Sequence, residues 1–488
     1  MPTRDHIVLF VNGRRHEVRG GDCFLSASDY LRYRLGLVGT KVVCSEGDCG
    51  SCTVLIGRPA APGEIRYPPV DSCIQFLFQL DAAHLINVEG LSLEGQLTAI
   101  QQALVDCHGS QCGFCTPGFV IAMTALAQQR FPAGLSEQDV CTGLTGNLCR
   151  CTGYTSILVA GQQAISNGSA ELSEIYPPQR LAPQLAKLAR DTLDLRGRSD
   201  VAEQRVYCPT TLDDAIAFRS ANPDAKVVAG ATDVGVQLNK RAIAPSVFLD
   251  LNRVRELEGI TFEEDEAGSA ILAGARATWT ELLEACEDRL PELAKILAVF
   301  GSPQIRHVGT IGGNIINASP IADSLPFLLV MDAELELAKP EGRRRASINS
   351  FYRSYKQFDL RPDELLSSVR IPLPAADDLL RLYKVSRRRD LDIATFTAAI
   401  RLRLDGDTIA EAAIAYGAVG PMVLRLTKSE EFLRGRPFEE STMRAAGDVA
   451  VSEITPISDV RGSAAYRTQL ARSALRKFYH EQQYALSR

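Results

Sequence analysis

The sequence predicts an α+β protein built from several domains, and three observations carry that reading. Its 488 residues are enough for about three domains. Short β-rich runs dominate the first part of the chain, and helical patterns take over from residue 90 onward. The 13 cysteines are bunched: eight stand at 44, 49, 52, 73, 112, 115, 149 and 151. Hydrophobic residues make up 45% and charged residues 23%, an ordinary soluble composition. A net charge of −6 offers no electrostatic footprint for nucleic acid. The N-terminal IVLFV run is too short for a secretory h-region. No run of about 18 apolar residues is present, so no membrane span is expected. These features point to the cytoplasm, a reducing compartment where clustered cysteines ligate metal rather than pair as disulfides.

The elements follow in order. Residues 7–18, IVLFVNGRRHEV, predict a β-hairpin turning at Asn12-Gly13. Residues 26–35 predict a short helix, and TVLIG at 53–57 a strand. Thr116-Pro117 reads as a helix start, with Thr116 as N-cap. Further helices are expected over 136–144 and 154–166. The polar, proline-bearing stretch 168–204 reads as a linker. A mixed α/β region spans 205–380, and 381–488 opens with the strands FTAAIRLRL and AAIAYGAV before turning helical.

The cysteines fall into two groups. Cys44, Cys49, Cys52 and Cys73 have the C-x4-C-x2-C…C spacing of a plant-type [2Fe–2S] site. A compact two-iron core needs a loop that curls around it, and Gly47 and Gly50 permit that backbone. Zinc fits this group poorly, because Cys73 has no partner knuckle. Cys112, Cys115, Cys149 and Cys151 form a C-x2-C and a C-x-C pair, which suits either a cluster or zinc. Cys23, Cys107, Cys141, Cys208 and Cys286 read as small buried hydrophobes.

Two glycine turns follow apolar strands: VVAGATDVG at 227–235 and VGTIGGN at 308–314. Such turns expose backbone N–H groups that can bind phosphate oxygens, but they serve equally as structural turns. Neither is G-x-G-x-x-G, so a Rossmann site has no support. The arginine runs 343–345 and 387–389 read as solvated loops.

CSEGDCGSC at 44–52, CGFCTPGF at 112–119 and GNLCRCTGY at 146–154 together resemble the iron–sulfur portion of the xanthine dehydrogenase/molybdenum hydroxylase family. VVAGATDVG, GTIGGNIINASPIADSLP at 309–326 and SRRRDLDIA at 386–394 resemble its flavin portion. The resemblance covers nearly the whole chain. It implies a ferredoxin-like β-grasp [2Fe–2S] domain at 1–86 and a helical, four-helix [2Fe–2S] domain at 87–167. It further implies a vanillyl-alcohol-oxidase-type FAD-binding domain at 205–380 and a C-terminal α/β flavoprotein subdomain at 381–488.

The same resemblance assigns residues. The first cysteine group would hold one cluster and the second group the other. Val227, Val228, Ala229, Gly230, Ala231, Thr232, Asp233 and Val234 would contact FAD, as would Thr310, Ile311, Gly312, Gly313 and Asn314. Asp323 would bind the cofactor's polar part, Phe300 and Leu366 would flank the isoalloxazine, and Lys384 would reach the cofactor. Tyr355 and Asp390 would face NAD⁺. No side-chain nucleophile or general base is implied. The implied activity is electron transfer in purine (hypoxanthine and xanthine) oxidation. Electrons would come from a separate large molybdopterin subunit, in an α2β2 heterotetramer, and leave to NAD⁺. The chain stops at 488, without the molybdopterin domain that single-chain members carry. A partner acting on aldehydes or other N-heterocycles is the alternative within the family. A zinc-binding, non-catalytic scaffold is the alternative outside it.

Overall fold

The protein is described by a computed structural model over residues 3–61, 63–92, 95–131, 133–168, 172–198, 203–265 and 268–486. Asn12 and Gly13 both take positive φ, 49° and 79°, as a two-residue type I′ turn requires. They close Ile7–Val11 and Arg14–Val18 into the expected antiparallel hairpin. Ile7–Val11 also pairs in parallel with His84–Ile86, which lies antiparallel to Thr53–Ala61. A short α-turn, Ala27–Asp29, runs into one π-turn, Tyr30–Arg34. Its Ala27, Tyr30 and Leu31 join the apolar face of the sheet, completing a β-grasp.

The helical region contains Ala99–Asp106, Thr116–Ala127, Glu137–Gly143 and Thr155–Ser166. Thr98 and Ser136 start the first and third of these with capping boxes. The N-cap of Thr116–Ala127 is Cys115, not Thr116. The Thr116 hydroxyl pairs with Ser110 Oγ at 2.9 Å instead of capping the backbone. Phe119, Ile121, Met123, Val140 and Ile157 build the shared core.

The stretch 168–204 is not a structureless linker. It carries helix Pro178–Leu188 and strand Thr192–Arg198. Leu181 and Leu185, one helical turn apart, bury against Phe10, and that pairing anchors the segment. The strand enters a five-stranded sheet ordered Thr3–Arg4, Thr192–Arg198, Glu203–Cys208, Val247–Asp250, Lys226–Val228.

The chain divides into two compact units. One comprises 1–255 with 302–309, and the other 256–301 with 310–488. The division therefore falls inside the region expected as one FAD-binding domain. The second unit has a five-stranded antiparallel sheet, ordered Ile260–Asp265, Gly268–Gly274, Leu365–Pro372, Glu334–Lys339, Gly342–Ser347. It also has a four-stranded antiparallel sheet, Leu379–Val385, Phe396–Asp405, Thr408–Gly417, Leu424–Arg425. Helices Glu440–Ser452 and Ala464–Leu486 share a core with this second sheet. Among the described residues, no helix is long and apolar enough to cross a membrane.

One buried carboxylate ties the first unit together. Asp81 accepts the Val8 N–H at 2.7 Å, Arg4 Nη1 at 2.9 Å and Nη2 at 2.8 Å, and the guanidinium of Arg253. Asp81→Ala would leave two guanidiniums without their buried counter-charge. A loss of about 3–5 kcal/mol of unfolding free energy is expected. Urea denaturation should read it as a lowered midpoint with the slope unchanged.

Candidate cofactor sites

In the first cysteine loop, the Cys44 sulfur lies within hydrogen-bonding reach of Cys49 and Cys73, and Cys73 within reach of Cys52. The Cys49 and Cys73 thiols, aimed at Cys44, hold its pKa far below the usual thiol range. Cys52 and Cys73 are buried among Ile74, Val42, Val236 and Ile305. Asp71 is buried beside them, its Oδ1 at 3.7 Å from Cys52 Sγ. Burial pushes its carboxyl up to about 7.

The second group sits where helix Thr116–Ala127 begins and in the loop before Thr155–Ser166. Cys112 and Cys151 are exposed, with sulfurs 3.5 Å apart. The Cys115 and Cys149 sulfurs lie near one another, and burial first, then this proximity, pushes the Cys115 thiol up to about 12. Cys149 Sγ lies 3.2 Å from Thr152 Oγ1, and its N–H donates to the Tyr154 hydroxyl at 3.0 Å. All thirteen cysteines are free thiols. Cys107, the nearest of the others in sequence, points its sulfur at Gln163 Oε1. Among the described residues, no three His, Cys, Asp or Glu side chains converge in the manner of a mononuclear metal site.

The glycine turn of the first unit follows strand Lys226–Val228 and leads into helix Val234–Asn239. Its carbonyls are held from behind. Gln79 Nε2 and Asn252 Nδ2 donate to Ala229 at 2.7 and 2.8 Å, and Gln75 Nε2 to Gly230 at 2.9 Å. A methyl group on Gly230 would meet the Val308 carbonyl oxygen at 1.9 Å, so only glycine fits there.

In the second unit Thr310 caps Ile311–Asn317, accepting the Gly313 N–H at 3.1 Å. Gly312 lies against the Ala275 carbonyl, which an added Cβ would meet at 2.6 Å. Asn314 Oδ1 accepts from Ser324 Oγ at 2.7 Å. Lys384 and Asp323, 61 residues apart, form a buried ion pair at 2.7 Å, and Lys384 also donates to the Val299 carbonyl at 3.1 Å. Burial raises the Asp323 pKa in spite of the lysine. Its Oδ1 is buried and has no hydrogen-bond partner among the described residues. Phe300 packs on Trp279, ring centroids 4.9 Å apart, and Leu366 is buried in the core. Tyr355 is exposed and Asp390 partly so, with no hydrogen bond or ion pair between them among the described residues.

Residues 87–162 match the [2Fe-2S] binding domain. Residues 201–374 match the FAD binding domain in molybdopterin dehydrogenase, and 381–482 the CO dehydrogenase flavoprotein C-terminal domain. Xanthine dehydrogenase 1 of Arabidopsis thaliana is 29% identical over 97% of this chain and 39% of its own length. Aldehyde oxidase 1 of Bos taurus is 30% identical over 99% of this chain and 40% of its own length. The chain thus spans about 40% of the length of these curated relatives. A solved carbon monoxide dehydrogenase from Hydrogenophaga pseudoflava is 30% identical, with a TM-score of 0.53 over 56% of this chain and 94% of that one. The chain belongs to the molybdenum hydroxylase family.

As the iron–sulfur and FAD part of a molybdenum hydroxylase, the chain has donors that fit both groups. A two-iron core takes four thiolates, two on each iron, and each group brings four thiols close to one another. Within the second unit, the buried Asp323 oxygen that accepts no hydrogen bond among the described residues fits a polar cofactor group. Sequence reading missed Asn147 and Gln304, buried polar residues beside the cysteine loops. Asn147 lies within the GNLCRCTGY motif, and that position was the one available signal. Gly230→Ala is expected to weaken FAD binding about tenfold, matching an overpacking cost of ~1–3 kcal/mol. Flavin and iron assayed on the same gel-filtered sample should show flavin reduced and iron unchanged.

Proposed function

We propose that this chain is the electron-transfer part of a xanthine dehydrogenase. Two [2Fe–2S] clusters, as one-electron carriers, and FAD, as a one- or two-electron carrier, would relay electrons from a molybdopterin partner to NAD⁺. Cys44, Cys49, Cys52 and Cys73 would hold one cluster, and Cys112, Cys115, Cys149 and Cys151 the other. The observation that carries the reading is the pairing of eight thiols into two sets within one chain.

The flavin residues have separate tasks. Residues 227–234 and 310–314 would contact the FAD pyrophosphate and ribityl chain. Asp323, held by Lys384, would accept a hydrogen bond from the cofactor's polar part with its unused Oδ1. Phe300 and Leu366 would flank the isoalloxazine. Tyr355, exposed at the surface, and Asp390 would lie on the NAD⁺ side. The partner would be a large molybdopterin subunit in a two-plus-two heterotetramer, located in the cytoplasm.

The similarity to aldehyde oxidase 1 of Bos taurus favours a second reading, in which the partner oxidises an aldehyde or another N-heterocycle. This chain would play the same part in either. A zinc-binding scaffold is separated from both by metal analysis. The decisive experiment is a visible spectrum with iron, zinc and flavin counted on one sample. About four irons and one FAD per chain are expected, two irons for each cluster. A colourless protein containing zinc would overturn the proposal.

Two further outcomes follow from the ligand assignment. Cys149→Ser should halve the iron, remove one cluster's EPR signal and leave FAD bound. Retention of both signals would show that the second ligand set is wrong. The purified chain should oxidise NADH with an artificial acceptor and be inert to xanthine. Xanthine turnover by this chain alone would overturn the two-subunit arrangement.

A further inference from the structure

Asn147 and Gln304 belong to no cysteine spacing, yet they form the polar junction between the two cysteine loops. Asn147 stands two residues before Cys149. Its buried Nδ2 donates to the Gly50 carbonyl at 3.0 Å and lies 3.4 Å from Thr53 Oγ1. Gln304, fully buried, donates from Nε2 to Asn147 Oδ1 at 2.9 Å and to Thr53 Oγ1 at 3.3 Å. Alongside them the Leu148 N–H donates to the Cys49 carbonyl at 3.0 Å. A single backbone hydrogen bond therefore joins Cys49 itself to the residue preceding Cys149.

The closeness of the loops depends on missing side chains. A Cβ on Gly118 would stand 2.2 Å from the Gly50 oxygen, and one on Gly146 would stand 1.8 Å from Gln304 Oε1. Gln304 Oε1 is buried with no hydrogen-bond partner among the described residues. That desolvation penalty is accepted where the amide nitrogen makes two contacts between the loops. An apolar contact could hold two loops together, but directional hydrogen bonds also fix their distance and orientation.

We infer that Asn147 and Gln304 are positioning residues that hold the Cys44–Cys52 loop and the Cys149–Cys151 loop at one separation, and so set the coupling between the two clusters. The inference rests on the two-cluster reading above. Transfer of one electron between bound clusters would oxidise one and reduce the other. Its rate depends on the separation and on the bonds between the loops.

The test uses the full chain, wild type against Asn147→Ala and Gln304→Met. Low-temperature EPR of the dithionite-reduced protein reads the magnetic splitting between the reduced clusters. Freeze-quench EPR after substoichiometric reduction reads electron equilibration between them. Both variants are expected to keep about four irons, two per cluster, while the splitting changes and equilibration slows about 10-fold or more. Unchanged splitting and rate in an iron-replete variant overturn the inference. If only one variant loads fully, the measurements on that variant decide. Loss of iron from both variants also overturns it, because the pair would then be needed for loading rather than spacing. A wild-type chain with fewer irons or a single cluster signal overturns the underlying reading instead, and the iron count tells the two failures apart.

Discussion

The Gly50 carbonyl oxygen is the point around which the cysteine-bearing part of the chain is organised. It accepts the Thr53 N–H at 3.1 Å, the Thr53 hydroxyl at 2.6 Å and the Asn147 amide at 3.0 Å. Gly50 reaches this position with φ at +66°, which a side chain would make costly. The first turn of helix Thr116–Ala127 passes so close that position 118 must also be glycine. The C-x4-C-x2-C loop is therefore shaped by its own glycines and equally by a helix and an asparagine about 70 to 100 residues away. A substitution at Gly50 would disturb both cysteine groups together.

Buried charge divides into two kinds here. Asp81 has both oxygens engaged, by two arginines and a backbone amide, and its role is to hold elements together. Among the described residues Asp323 has one cation, Lys384, and one buried oxygen with nothing to accept from. A buried acceptor left open carries a desolvation cost, and a cofactor donor would offset it. Carbonyls 229 and 230 accept from Gln79, Asn252 and Gln75, which fixes the orientation of that strand end.

What could be read from the sequence was local. Asn12-Gly13, the helix over 136–144 and the cysteine spacings act over a few residues, so their consequences are visible in a short string. The stretch 168–204 has the composition of a linker but the spacing of a helix and a strand. Leu181 and Leu185 supply an apolar stripe that the surrounding prolines and charges obscure. Thr116 was misjudged as a cap because its hydroxyl had a competing partner, Ser110. Gln304 could not be found at all, since its meaning comes from Asn147, 157 residues earlier. The Lys384–Asp323 pair has the same character, and only the family motifs drew attention to its members.

The pairing of thiols bears on which metal chemistry the loops suit. In the second group the close pairs are Cys112 with Cys151 and Cys115 with Cys149. Each pair takes one member from C-x2-C and one from C-x-C. In the first group the contacts run in series, from Cys49 to Cys44, from Cys44 to Cys73 and from Cys73 to Cys52. A mononuclear tetrahedral ion would draw all four sulfurs of a group to one point. A two-iron core instead asks for two pairs, one at each end of the core. The two close pairs of the second group match that demand. In the second group they also make the two knuckles mutually dependent, because each iron would be shared between segments more than 30 residues apart in sequence.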